Sequence, residues 1–192
     1  MHAPLHLLSL IVIAALSVPR TAEAQFATGD NVLSLGVGLG GHYVSSTAQS
    51  PALGLGYEVG VTDLGPGVLG LGGFLGYKTV ANKWYYSSRH QYDWRYTYLM
   101  IGFRGNWHYN DWHGLSELDT YGGLMLSYNI VSWKDHTVYP SGVERVTSGG
   151  AASGLGLTAL LGARYYFSDN FAAQAELGYG ISVLSVGVAY RF

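Results

Sequence analysis

The chain has no cysteine. In an exported protein that excludes a disulfide scaffold, thiolate chemistry and cysteine-bound metal. Charge is also scarce: Asp, Glu, Lys and Arg make up 11% of the 192 residues, against about a quarter in an ordinary soluble domain. The net charge of −2 gives no basic surplus of the kind a nucleic-acid partner requires. Beyond residue 24 no apolar run is long enough to cross a membrane as a helix.

Glycine and aromatics are plentiful instead: 28 glycines, and 14% Phe, Trp and Tyr. A chain poor in charge, rich in aromatics and without apolar helices suits a membrane barrel. Such a barrel satisfies its backbone between strands and needs apolar side chains only at alternate positions.

The N-terminus reads as a secretion signal. Leu7 to Val18 is apolar except for Ser9 and Ser17, and it is too short to span a bilayer. Ala22-Glu23-Ala24 supplies a small-x-small cleavage site, so cleavage is expected between Ala24 and Gln25. The segment departs from the usual pattern in having no Lys or Arg before its apolar core. Residues 1–24 are thus the signal, and 25–192 are long enough for one domain.

That domain alternates. A strand sends successive side chains to opposite faces, and eight segments show this period. The last has Leu184, Val186, Val188, Tyr190 and Phe192 on one face and small or polar residues on the other. Its start is placed at Ser182. The first, Asn31 to Gly40, sets Leu33, Leu35, Val37 and Leu39 against Ser34 and glycines. The second runs from Ala52 to Thr62, the third starts at Val68, the fourth ends near Tyr109 and the fifth follows Asp119. The sixth spans about Ala151 to Phe167, and the seventh holds Phe171 to Tyr179. Each is about the length a tilted strand needs to cross a bilayer.

Period two leaves two arrangements open: an apolar face turned to lipid, or turned inward as in a secreted lipocalin-like binding barrel. The second face separates them. It is mostly Gly, Ser, Ala and Thr, whereas a water-facing surface would be rich in Lys and Glu. Small residues fit the narrow interior of eight strands. The fold class read from the sequence is therefore all-β: an eight-stranded antiparallel up-and-down transmembrane β-barrel.

Connections alternate in length. Asp63 to Gly67 and Ser168-Asp169-Asn170 are tight, whereas His42 to Pro51, Lys83 to Trp94 and Lys134 to Gly150 read as long polar loops. Short turns face the periplasm in such barrels. Asn110 to Leu118 is long for that side, and the loop around Gly180 is short for the other. Aromatics gather at strand ends. Trp107, Tyr109, Trp112, Tyr165, Phe167, Phe171, Tyr190 and Phe192 are expected at the periplasmic interface. Trp84, Tyr85, Tyr86, Trp94, Tyr96, Tyr98 and Trp133 are expected at or above the outer one.

With this signal, this strand count, glycine-rich inward positions and the Ala-Tyr-Arg-Phe end, the chain resembles the small eight-stranded outer-membrane barrels of the OmpA membrane-domain and OmpX type. The resemblance covers about Phe26 to Phe192. It implies location in the outer membrane, contact with its lipid and lipopolysaccharide, and assembly by the outer-membrane machinery. That machinery reads the final strand, here Val188, Tyr190 and Phe192. It also implies the barrel alone, without the peptidoglycan-binding domain that longer relatives append, and the chain is read as a monomer. OmpX-like relatives are implicated in adhesion.

The inward phase holds Glu58, Arg104, Arg164 and Glu176. Glu58, Arg104 and Glu176 lie about 13 Å above the periplasmic strand ends, at about 3.4 Å per residue and a tilt near 40°. Buried charges must pair, so one ion-pair cluster across the lumen is expected, either a plug or part of a narrow channel for ions or small solutes. Some barrels of this architecture are lipid A-modifying enzymes that use His, Ser and an acid near the rim. Ser87-Ser88-Arg89-His90-Gln91-Tyr92-Asp93 contains those types but not the His-x-Ser arrangement of the deacylases. No catalytic residue, cofactor or metal is assigned; His42, His90 and His136 lack ligand spacing. The ladder Tyr92, Trp94, Tyr96 and Tyr98 reads as a protruding aromatic hairpin able to meet a partner, or as a large outer girdle. The functional expectation is an outer-membrane barrel with a structural or cell-surface contact role.

Overall fold

The computed structural model describes residues 25–41, 48–87, 90–138, 144–151 and 153–192. Its strands are β1 (Asn31–Leu39), β2 (Ala48–Gln49), β3 (Ala52–Leu64), β4 (Gly67–Ser87), β5 (His90–His108), β6 (Leu118–Val138), β7 (Glu144–Gly150), β8 (Gly154–Tyr166), β9 (Phe171–Gly178) and β10 (Leu184–Arg191). β2 lies along the same line as β3, and β7 along the same line as β8, so the wall has eight staves. Every neighbouring pair is antiparallel, and β1 meets β10 from Val32↔Arg191 to Leu39↔Leu184, which closes the barrel. Closure leaves no sheet edge along that seam, the requirement for a backbone that cannot turn to water.

Local chemistry explains the interruptions. Pro51 has no N–H to give a ladder, and the chain breaks there between β2 and β3. β3 and β4 are joined through Gly65 and Pro66, with Leu64↔Gly67 the last pair. Gly65 has φ +61°, the conformation that a tight hairpin demands at its first central position.

The face of each strand is decided. Leu33, Leu35, Leu55, Leu75, Ile101, Phe103, Leu124, Leu126, Leu161, Val186 and Val188 all point out of the barrel and are exposed. Val32, Ser34, Glu58, Lys78, Arg104, Ser127, Thr158 and Arg164 point in and are buried. A lipocalin-like barrel with its apolar face inward is thereby excluded. At the end carrying Phe26 and Phe192, Phe167–Phe171, Phe171–Tyr190 and Tyr190–Phe192 form a run of ring contacts, with centroids 6.5, 4.9 and 5.9 Å apart.

Four expectations are corrected. Lys134 to Gly150 is not a long polar loop. β6 runs on to Val138, and β7 pairs with it from Ser132↔Gly150 to Val138↔Glu144. Lys83 to Trp94 is likewise strand up to Ser87 and from His90, as the protruding-hairpin reading of that segment expects and the loop reading does not. Strand-favouring residues run through segments whose composition reads polar: Tyr and Trp over 83–94, and Thr137, Val138, Val146 and Thr147 over 134–150. Third, Trp94, Tyr96 and Tyr98 share the phase of Met100 and Arg104, and Trp133 that of Met125, so these four turn to the lumen side of the wall; the side chains of Trp84, Tyr85 and Tyr86 lie outside the described residues. Trp94 stacks on Trp133 there, centroids 5.8 Å apart. The last strand starts at Leu184 rather than Ser182, because Gly178 N donates to Val183 O and turns the chain.

Candidate functional site

The lower lumen is filled by one connected polar network. Arg164, on β8, donates through Nη2 to Glu58 Oε2 of β3 at 2.6 Å. Its Nη1 lies 3.6 Å from Asp119 Oδ2 of β6. His108, the last residue of β5, bridges the same two acids: Nε2 is 3.0 Å from Glu58 Oε1 and Nδ1 is 2.8 Å from Asp119 Oδ1. Asn106 Nδ2 donates to Glu58 Oε1 at 2.8 Å. Glu58, Asn106, His108, Asp119 and Arg164 are all buried.

A second layer sits beside the first. Arg104 Nη1 donates to Glu176 Oε1 at 2.8 Å, and Tyr121 Oη donates to the same oxygen at 2.7 Å. Tyr121 joins the layers, because the Arg164 guanidinium lies over its ring at 4.6 Å. Glu58, Arg104, Arg164 and Glu176 thus belong to one cluster of two ion pairs. Two arginines face three carboxylates, and His108, donating from both nitrogens, can supply the third positive centre.

The network is closed on both sides by apolar groups. Below, Phe26 lies flat on His108 at 3.9 Å and packs with Val32, Tyr166, Ala172 and Ala189. Above, Ala52, Met100, Met125 and Ile181 form a layer with Phe74, whose ring carries the Arg104 guanidinium at 4.8 Å. Side-chain packing leaves the arrangement able to brace the barrel and to hold charge out of water.

The other sequence-predicted residues separate by place. Val188, Tyr190 and Phe192 are exposed on the outward face, and Phe192 N donates to Asn31 O across the seam. Tyr96 and Tyr98 line a cavity at the upper mouth. The side chains of Tyr92 and His90 lie outside the described residues, as do Ala24, His42, Ser88 and Arg89; Gln25 is the first residue described. Sequence reasoning did not single out His108, Asp119, Tyr121 or Phe26. The signal for the first three is the inward phase itself, carried two residues past Asn106 and read backward from Met125.

No protein-family model and no curated protein matches the chain. Among solved structures, the N-terminal β-barrel domain of Pseudomonas aeruginosa OprF matches with TM-score 0.50 at 14% identity, over 86% of this chain and 98% of that one. The chain has the fold of the small eight-stranded outer-membrane barrels. Two further structures also match: Yersinia pestis Ail, the attachment invasion locus protein, in complex with the heparin analogue sucrose octasulfate (TM-score 0.49, 16% identity, 86% and 99% covered), and Neisserial surface protein A (TM-score 0.43, 17% identity, 85% and 94% covered).

Proposed function

We propose that this protein is an integral outer-membrane barrel, exported through its N-terminal signal and inserted as a monomer, with a sealed lower lumen and a structural or surface-contact role. One observation carries the reading: large apolar side chains cover the outer wall from β1 to β10, while the charges sit inside. In water such a belt would aggregate; in lipid it is the required surface. The closed polar network supports bracing over conduction. The hairpin extensions of β4–β5 and β6–β7, with Trp94 exposed, support a contact role for the Tyr92, Trp94, Tyr96 and Tyr98 ladder.

Membrane fractionation with heat-modifiable gel mobility tests the reading. The folded protein should stay with outer membranes and migrate faster unheated than boiled. Recovery in the periplasmic fraction without detergent would overturn it. Shortening the hairpin around 83–94 should weaken adhesion of expressing cells without changing that mobility. Lipid A mass spectra should be the same with and without the protein.

A further inference from the structure

The wall is not equally high all round. β8 pairs with β6 from Leu118↔Tyr165 up to Asn129↔Gly154, but its ladder with β9 stops at Leu160↔Gly178. Above that level the β9–β10 connection turns at once, and Ile181 folds inward into the apolar layer. Among the described residues, no strand pairs with the edge of β8 over 154–159.

In an antiparallel ladder, alternate residues turn their N–H and C=O to opposite neighbours. Gly178 gives its N–H to Val183 O, away from β8, so Leu160↔Gly178 is a non-bonded pair. Counting by twos, the backbone groups of Leu155 and Leu157 point into the gap. Their side chains are the most exposed large apolar ones described, at 77% and 72%.

A cavity of about 620 Å3 runs through this gap. Tyr96, Tyr98, Ser127 and Asn129 line its lumen side, and Leu155 and Leu157 its outer side. No charged side chain lines it. A Cβ added at Gly154 would meet nothing within 4 Å. Leu157 and Leu155 stand nine and eleven residues up β8 from Tyr166, about 23 and 29 Å above the lower aromatic ring, at the outer rim of an apolar belt about 25 Å tall. Unpaired backbone at that rim must find polar partners, and the cavity beside it supplies them.

Resting on the membrane reading above, we propose that this gap is a lateral binding site for a single-chain lipid of the outer leaflet with an uncharged, hydroxyl-bearing head. The head passes between β8 and the β9–β10 turn. It meets the free backbone groups of Leu155 and Leu157, the Ser127 and Asn129 side chains, and the rings of Tyr96 and Tyr98. The tail stays in the bilayer along Leu155 and Leu157. An ionic head would find no counter-charge in the lining.

The absence of native cysteine makes a test direct. The full-length protein, labelled with bimane at Val131→Cys, on the cavity lining but outside the groups that meet the head, is placed in phosphatidylcholine vesicles and titrated with an alkyl glucoside carrying a nitroxide on its sugar. Saturable quenching is expected, with none from the same nitroxide sugar lacking the alkyl chain. Gly154→Trp should fill the gap and abolish the saturable quenching while heat-modifiable mobility is kept. Independently, a nitroxide on the tail should quench bimane at Leu157→Cys more than at Leu35→Cys on the far wall. Equal quenching by the free sugar would make the ligand a solute from the mouth and overturn the lipid source. Linear quenching, or no difference between Leu157 and Leu35, would overturn the site. Protein that fails to sediment with vesicles refutes the membrane reading itself; an inserted, heat-modifiable barrel without saturable quenching refutes the site alone.

Discussion

Phe26 lies flat against His108, ring centroids 3.9 Å apart and planes 21° from parallel. The second residue after the expected cleavage point thus floors the polar network of the lumen. Removing that ring leaves a cavity among Val32, Tyr166, Ala172 and Ala189. Phe26→Ala should cost about 3 kcal/mol, read by urea unfolding in lipid vesicles, while Phe26→Leu should cost clearly less. Equal stability of Phe26→Ala and wild type would show that the contact does not brace the lumen.

Arg164 reaches Glu58 at 2.6 Å and faces Asp119 at 3.6 Å. Removing it leaves two buried carboxylates with His108 as the one side chain that still touches both. Arg164→Met should destabilise by about 3–5 kcal/mol, because a lone buried charge costs more than the pair contributes. Adding Glu58→Gln should recover part of the loss. A double variant no better than Arg164→Met would argue against direct coupling.

Conductance follows from the layering. Apolar groups close the network above and below, so the wild type should be silent in planar bilayers. Arg104→Ala with Glu176→Ala empties only the upper pair and leaves Glu58–Arg164 and Phe26 in place. It should be silent too. Steady wild-type openings that vanish in this double variant would restore the narrow-channel reading.

Phe192 is 62% exposed on the outer wall. If the terminal strand is an assembly signal, Phe192→Ala should cut outer-membrane yield in cells several-fold, yet unfold in lipid within about 1 kcal/mol of wild type, as an exposed substitution does. Parallel losses of yield and stability would make the residue merely structural.

At Gly72 a Cβ would stand 2.0 Å from Tyr57 O, whereas at Gly154 it would meet nothing within 4 Å. Gly72→Ala forces the backbones of β3 and β4 apart and should cost about 1–3 kcal/mol; Gly154→Ala should be near neutral. Unfolding midpoints of the two variants provide the comparison.

Period two, the scarcity of charge and the glycine-rich second face are local properties of the chain. They carried the strand count, the inward phase of Glu58, Arg104, Arg164 and Glu176, and the outward phase of Val188, Tyr190 and Phe192, because a pleat fixes the face of every residue along one strand. Which inward residues meet is a different matter. It depends on the register between strands far apart in sequence. The shear of the closed barrel brings His108 and Asp119 to Glu58 and Arg164, and Tyr121 to Glu176, and it draws Phe26 in from the end of the chain. The same non-local geometry decided how far the hairpins rise and where β9 ends too soon. Alternation cannot report when a neighbour stops pairing, and that missing neighbour is what opens the wall beside Leu155 and Leu157.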